Sequence, residues 1–185
     1  SSSVHAFDDG LAKTPPMGWN SWNKFGCNIN EQLILDMAKA MVESGMKDAG
    51  YEYVNIDDCW MADERDENGY YVADPERFPH GIKWLADQIQ DIGLKAGIYS
   101  SNGAKTCQGL PGGYGHEKED AEKYAEWGID YLKYDWCYSP KLHFSADIDK
   151  ILVANADYEA ESDVHTLTGD ASVTDCTNCS GGEKL

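Results

Sequence analysis

The stretch EKEDAEKYAEWGIDYLKYD, Glu117 to Asp135, reads as a helix, a stop and a strand. A helix is expected over about 117–127, Gly128 ends it, and Ile129 to Tyr134 continue as a strand that reaches Asp135. The same unit recurs upstream. Ile82, Leu85, Ala86, Ile89 and Ile92 recur at helical spacing over 81–92, Gly93 stops them, and Leu94 to Tyr99 reads as a strand. Before that, Leu33, Met37, Ala40, Met41 and Ser44 share a face over 30–44, between an N-capping Asn30 and a terminating Gly45, and a strand runs from Tyr51 to Asp58. A short strand from Met17 to Trp19 opens the series. Met17, Tyr53, Leu94 and Tyr131 thus mark successive strands at separations of 36, 41 and 37 residues.

Strand–loop–helix units of this size mean parallel strands joined by crossover helices. Two architectures fit: an open doubly wound sheet and a (β/α)8 barrel. The first βα turn has no G-x-G-x-x-G and the chain has no P-loop, so a nucleotide-binding sheet loses ground. The strand ends favour a barrel, because barrel enzymes build their sites at the C-terminal face of the strands. Here those ends carry Asn20 and Trp22, Asp57 and Asp58, Tyr99, and Asp135. A complete barrel takes roughly 250 residues. The expected fold is therefore α/β, a partial (β/α)8 TIM barrel of about four βα units followed by a short β-rich tail. After Cys137 the rhythm stops. Ala146 to Ala154 is weakly amphipathic, and from Asp157 a Thr/Ser/Gly-rich alternation reads as the opening strands of a β-sandwich. The expected division is 1–138, a half barrel; 139–156, a junction; and 157–185, the start of a β-sandwich module.

Composition narrows the function. The 185 residues are 42% hydrophobic and 11% aromatic, as in a folded protein rather than a disordered one. No apolar run is long enough to span a membrane. A net charge of −18 repels nucleic acid and anionic lipid, and leaves neutral substrates unpenalised. Six cysteines, Cys27, Cys59, Cys107, Cys137, Cys176 and Cys179, suit a disulfide framework and a secreted, extracellular protein. The chain opens on Ser1-Ser2-Ser3 without an apolar signal segment, so any signal peptide is expected to have been removed or left out. The five histidines do not cluster with the strand-end acids, and neither a metal nor another cofactor is expected.

Four motifs on four successive strands carry a resemblance. They are Thr14-Pro15-Pro16-Met17-Gly18-Trp19-Asn20-Ser21-Trp22, Ile56-Asp57-Asp58-Cys59-Trp60, Gly97-Ile98-Tyr99, and Leu132-Lys133-Tyr134-Asp135-Trp136-Cys137, joined by Asp74-Pro75-Glu76-Arg77-Phe78-Pro79 in the second loop. Over about residues 8–138 the chain resembles glycoside hydrolase family 27, whose members are mostly α-galactosidases (melibiases). The tail, with Tyr158-Glu159-Ala160-Glu161 and Cys176-Thr177-Asn178-Cys179-Ser180-Gly181-Gly182, more weakly resembles the start of a family 35 carbohydrate-binding module.

The resemblance implies a retaining hydrolase acting on terminal α-D-galactose in oligosaccharides or polysaccharides. Asp135 matches its nucleophile. Asp57 and Asp58 match carboxylates that accept hydrogen bonds from the galactose 4- and 6-hydroxyls, Lys133 a cation at the ring hydroxyls, and Trp22 and Tyr99 the aromatic wall. It also implies disulfides Cys27–Cys59 and Cys107–Cys137. Retention needs a second carboxyl about 5–5.5 Å from the nucleophile, and the family places it on a later strand that this chain lacks. The alternatives are a catalytically inactive galactose-binding fragment, and an α-N-acetylgalactosaminidase or β-L-arabinopyranosidase on the same scaffold. The chemistry of the residue types agrees. A lysine beside an aspartate favours the ionised form that a nucleophile needs, and paired acids at a strand end can grip hydroxyls through charge-assisted hydrogen bonds.

Overall fold

The computed structural model describes residues 13–139, together with the backbone of a two-residue antiparallel pairing, β5 (Thr174–Asp175) with β6 (Glu183–Lys184). The weakly amphipathic stretch Ala146–Ala154, the junction, and the β-sandwich reading of 157–185 otherwise lie outside the described residues.

Four strands, β1 (Gly18–Asn20), β2 (Tyr53–Ile56), β3 (Lys95–Ser101) and β4 (Tyr131–Asp135), form one parallel sheet in the order β1-β2-β3-β4. Each strand lies beside its predecessor. A doubly wound sheet reverses direction at a switch point; this order does not, and it is that of a barrel wall. Helices α2 (Glu31–Glu43), α3 (Gly81–Asp91) and α4 (Glu117–Trp127) are the crossovers. One short helix, α1 (Trp22–Phe25), interrupts the first loop and has no counterpart in the periodicity.

Local chemistry sets the boundaries. The Asn30 side chain accepts from Leu33 N at 2.8 Å and caps α2. Gly128 ends α4 in the left-handed region at φ 72°, which costs glycine nothing. The α2 stripe differs from the one read above. Ile34, Ala38 and Met41 are buried, whereas Ala40 and Ser44 are exposed. The buried set is all apolar at i, i+4, i+7, while the other face ends in a serine; two overlapping stripes compete in this helix, and packing on the sheet selects the more apolar one.

Alternation along the strands then separates two environments. Val54, Ile56, Ala96 and Ile98 join Ile34, Met41, Ile82, Leu85 and Ile89 in the hydrophobic core between sheet and helices. The alternate residues, Asn55 and Asp57 on or after β2, Tyr99 on β3, and Lys133 and Asp135 on β4, lie on the other face. Gly97 makes room there: a Cβ at this position would come 2.6 Å from Asn55 Oδ1 and 3.1 Å from Tyr131 Cδ1, and those side chains would have to shift.

A buried fork ties the loops together above the sheet. Arg65, in the loop after β2, pairs with Asp120 on α4, and their side chains are only 9% and 6% exposed. Its Nη2 reaches Asp120 Oδ2 at 2.9 Å and Gly112 O at 2.8 Å, its Nη1 reaches Gly69 O at 2.9 Å, and its guanidinium lies 3.7 Å from the Tyr71 ring centroid. Tyr71 in turn bonds Ser100 Oγ on β3 at 2.8 Å. The loops after β2 and β3 are thereby held to one another and to α4.

Candidate active site

The C-terminal ends of the strands converge on one group of polar side chains. Asp57 leaves the end of β2 with its backbone N–H donating to Ser21 Oγ at 3.0 Å. Its Oδ2 accepts from Lys133 Nζ and from Asn20 Nδ2, both at 2.7 Å, and its Oδ1 accepts from Asp58 N at 2.9 Å. One carboxylate thus links β1, β2 and β4 across the face of the sheet. Asp57 is 2% exposed and the Lys133 side chain 36%, so the contact is a charge-assisted bond between a buried carboxylate and a partly solvated ammonium.

Asp58 is also buried. Its Oδ1 accepts from Cys59 N at 2.8 Å and its Oδ2 from Gln108 N at 3.0 Å. Loss of water raises its pKa above the ordinary 3.8, and the bonds from the Thr106 hydroxyl and from the Cys59 and Gln108 amides oppose that rise. All of its partners are donors, so its oxygens are held as acceptors.

Tyr99 and Asp135 meet on the next two strands. Tyr99 donates its hydroxyl to Asp135 Oδ2 at 3.4 Å, and burial beside Asp58 raises its pKa. Lys133 Nζ lies 5.1 Å from the Tyr99 ring centroid. Asp135 Oδ1 accepts from Trp136 N at 2.8 Å, which leaves Oδ2 as the less committed oxygen.

Two disulfides frame this end of the sheet. Cys27–Cys59 joins the loop after α1 to the residue following Asp58, with Cα atoms 5.2 Å apart. Cys107–Cys137 joins the loop after β3 to the turn after Asp135, with Cα atoms 5.0 Å apart. Ser101 Oγ accepts from Cys137 N at 2.9 Å and fixes that turn. A side chain at Gly103 would run into the Cys137 carbonyl oxygen and the backbone of Tyr138 and Ser139.

The structure therefore gathers Asp57, Asp58, Tyr99, Lys133 and Asp135. Trp22 reaches the same end at the start of α1, its backbone N–H bonded to Asn20 Oδ1 at 2.9 Å, but among the described residues no hydrogen bond or ring contact ties its indole to the cluster. Sequence reasoning missed Thr106, Gln108, Ser21 and Ser101. Gln108 acts through its backbone amide, which leaves no trace in residue type, and the hydroxyls act across 36 to 48 residues. The Arg65–Asp120 fork was equally silent, since its partners are 55 residues apart. Among the described residues one set of Cys, Asp, His or Glu side chains is close enough to share a cation: Cys107, Asp135 and Cys137, with the two cysteines here joined to each other.

The sequence pattern of the alpha galactosidase A family matches residues 14–164. The chain belongs to that family. It is 51% identical to the Alpha-galactosidase A of Cellvibrio japonicus over 196 aligned positions, covering 96% of this chain and 48% of that protein. It is 51% identical to the human Alpha-galactosidase A, covering 78% of this chain and 36% of that one. Among solved structures, alpha-galactosidase I of Mortierella vinacea superposes with a TM-score of 0.69 at 60% identity, covering 71% of this chain and 33% of the other. The Saccharomyces cerevisiae α-galactosidase determined with raffinose does so with a TM-score of 0.68 at 47% identity, covering 70% and 28%. The chain thus spans about a third to a half of the length of these curated relatives. The four-stranded wall is the part of an α/β TIM barrel that these matches cover.

Proposed function

We propose that this family 27 chain carries the sugar-gripping and nucleophilic side of a retaining α-galactosidase site, for substrates that present a terminal α-galactose, such as melibiose, raffinose and galactomannan side chains. The observation that carries the reading is the union of Asp57 with Lys133 at 2.7 Å beside Tyr99 and Asp135, all at the C-terminal end of one parallel sheet. Asp135 Oδ2 attacks the anomeric carbon, the bond to the leaving oxygen breaks, and a glycosyl ester forms. Asp57 and Asp58 are held as acceptors, suited to the 4- and 6-hydroxyl protons, and a grip on the 6-hydroxyl disfavours an arabinopyranose. Lys133 supplies positive charge next to Asp57, and we assign Trp22, with Tyr99, to the aromatic wall.

The second carboxyl of the mechanism is not among the described residues. The acids gathered with Asp135 are Asp57 and Asp58, whose oxygens already accept from Lys133, Asn20, Cys59 and Gln108, so neither offers a proton to a leaving oxygen. General acid–base help is worth roughly 10²–10⁴-fold and matters least for leaving groups of low pKa. Two disulfides in the described residues suit an oxidising compartment, and we take the protein to be secreted.

The test is an assay of the purified 185-residue chain on an aryl α-galactoside and on melibiose. Slow cleavage of the aryl substrate is expected, abolished by Asp135→Asn, with melibiose nearly untouched. Melibiose turnover at ordinary enzyme rates would contradict the missing-acid reading. Preference for an aryl α-N-acetylgalactosaminide or β-L-arabinopyranoside would contradict the galactose reading.

A further inference from the structure

The Asp135 carboxylate lies directly against the Cys107–Cys137 disulfide. Its Oδ2 is 3.4 Å from Cys107 Sγ, a packing contact, because a disulfide sulfur has no proton to donate. One ligand atom from each of Cys107, Asp135 and Cys137 lies within 4.8 Å of the other two, and all three residues are partly open to solvent.

These separations can be compared with a tetrahedral metal site. With metal–sulfur and metal–oxygen bonds of about 2.3 and 2.0 Å, a sulfur and an oxygen ligand stand about 3.5 Å apart and two sulfurs about 3.8 Å apart. Cys107 Sγ and Asp135 Oδ2 already hold the first spacing at 3.4 Å. The second requires that the S–S bond be opened and the two side chains rotate apart, with their Cα atoms near the present 5.0 Å.

We propose that reduction of Cys107–Cys137 turns this place into a binding site for a soft divalent cation of the zinc and cadmium class, ligated by both thiolates and Asp135. In the reduction a dithiol supplies two electrons and two protons: the protein S–S bond breaks, two S–H bonds form, and the reductant becomes the disulfide. Cation binding then releases those two protons to solvent and forms two metal–sulfur bonds and one bond to Asp135 Oδ2, and water fills the fourth position. The Trp136 amide holds Oδ1 and so presents Oδ2 inward, the kind of outer bond that orients a carboxylate ligand. The cation would occupy the oxygen lone pair that attacks the sugar; this consequence, unlike the binding, rests on the reading of Asp135 as nucleophile.

The experiment titrates Cd²⁺ into the full chain carrying Cys176→Ser and Cys179→Ser, after treatment with a dithiol and its removal under argon, and follows the ultraviolet sulfur-to-cadmium band. The reduced chain is expected to bind one cadmium that the oxidised chain does not bind and that the additional pair Cys107→Ser, Cys137→Ser abolishes. Cys27 and Cys59 are opened by the same reduction, so the reduced chain carrying Cys107→Ser and Cys137→Ser measures the cadmium they hold, and that amount is subtracted. The isosteric Asp135→Asn should weaken that site roughly 10-fold or more, as even outer-sphere losses at metal sites do. Equal affinity in Asp135→Asn overturns the proposal, and so does a signal that survives loss of Cys107 and Cys137. A reduced chain that unfolded would bind cadmium without regard to Asp135, and would count against the proposal in the same way. Aryl α-galactoside cleavage, measured alongside, should stop on adding cadmium to the reduced chain only; binding without that loss would refute the nucleophile and leave the metal site standing.

Discussion

Breaking the Arg65–Asp120 fork from one side should be among the most costly single changes in the described region. In Asp120→Asn the guanidinium keeps its bonds to Gly69 O and Gly112 O, its place over Tyr71 and one bond to the amide oxygen, but it loses its anionic partner and the second bond, where an amide NH2 now faces it. With side chains 9% and 6% exposed, the stranded charge has little water to turn to. Removing one partner of such a pair costs about 3–5 kcal/mol. At a urea m-value of about 2 kcal/mol/M, that lowers the unfolding midpoint by roughly 1.5–2.5 M, read by circular dichroism with disulfides intact. The control is Arg65→Met with Asp120→Leu. It removes the charge altogether but strands the Gly69 and Gly112 carbonyls, each worth about 1–3 kcal/mol if left dry. Loop hydration can relieve those carbonyls but not an unpaired buried charge, so the double variant should recover at least half of the loss. A double variant as unstable as Asp120→Asn would refute the reasoning, since the loss would then come from packing rather than from an unpaired charge.

Further outcomes follow from the same geometry. Replacing Cys27 and Cys59 by serine opens a loop with a sequence separation of 32 and should cost roughly 3.5 kcal/mol in the chain-entropy model, measured by the same urea titration. Asp58 has a folded-state pKa raised above 3.8 chiefly by burial, so its ionisation penalises the folded state above that pH and not below it. The stability of the native chain relative to Asp58→Asn should therefore rise as pH falls from 7 to 4; a relative fall would mean that the hydrogen bonds outweigh burial. Gly103→Ala should displace the Cys137–Ser139 turn and cost about 1–3 kcal/mol, typical of overpacking, with slower aryl α-galactoside cleavage as the functional readout.

The parts of the fold that were legible share one property: their signals are local. Gly45, Gly93 and Gly128 mark helix ends, and the apolar stripe of α3 occurs where the periodicity places it. The regular return of strands ending in Asp57, Asp135 and their neighbours implied parallel units, and the strand order then distinguished a barrel wall from a doubly wound sheet. In α2 two stripes one residue apart were both apolar enough, and only contact with the sheet could choose between them. The candidate site divided in the same manner. Strand-end acids are visible because alternation and the turn after each strand fix where they point. The amide of Gln108 and the hydroxyls of Ser21 and Thr106 act through long-range closure of loops, and nothing in residue type announces it.

The central claim, that Asp135 is the nucleophile of a galactose site, can be tested without the second carboxyl. A doubly fluorinated α-galactosyl fluoride has a leaving group that needs no general acid, and its second fluorine slows hydrolysis of the glycosyl ester. Incubation with the 185-residue chain releases one fluoride, and intact-protein and peptide mass spectrometry should then show one fluorogalactosyl unit per chain on the peptide that contains Asp135, and none in Asp135→Asn. A label on Asp57, Asp58 or any other residue, or no label at all, would contradict the account.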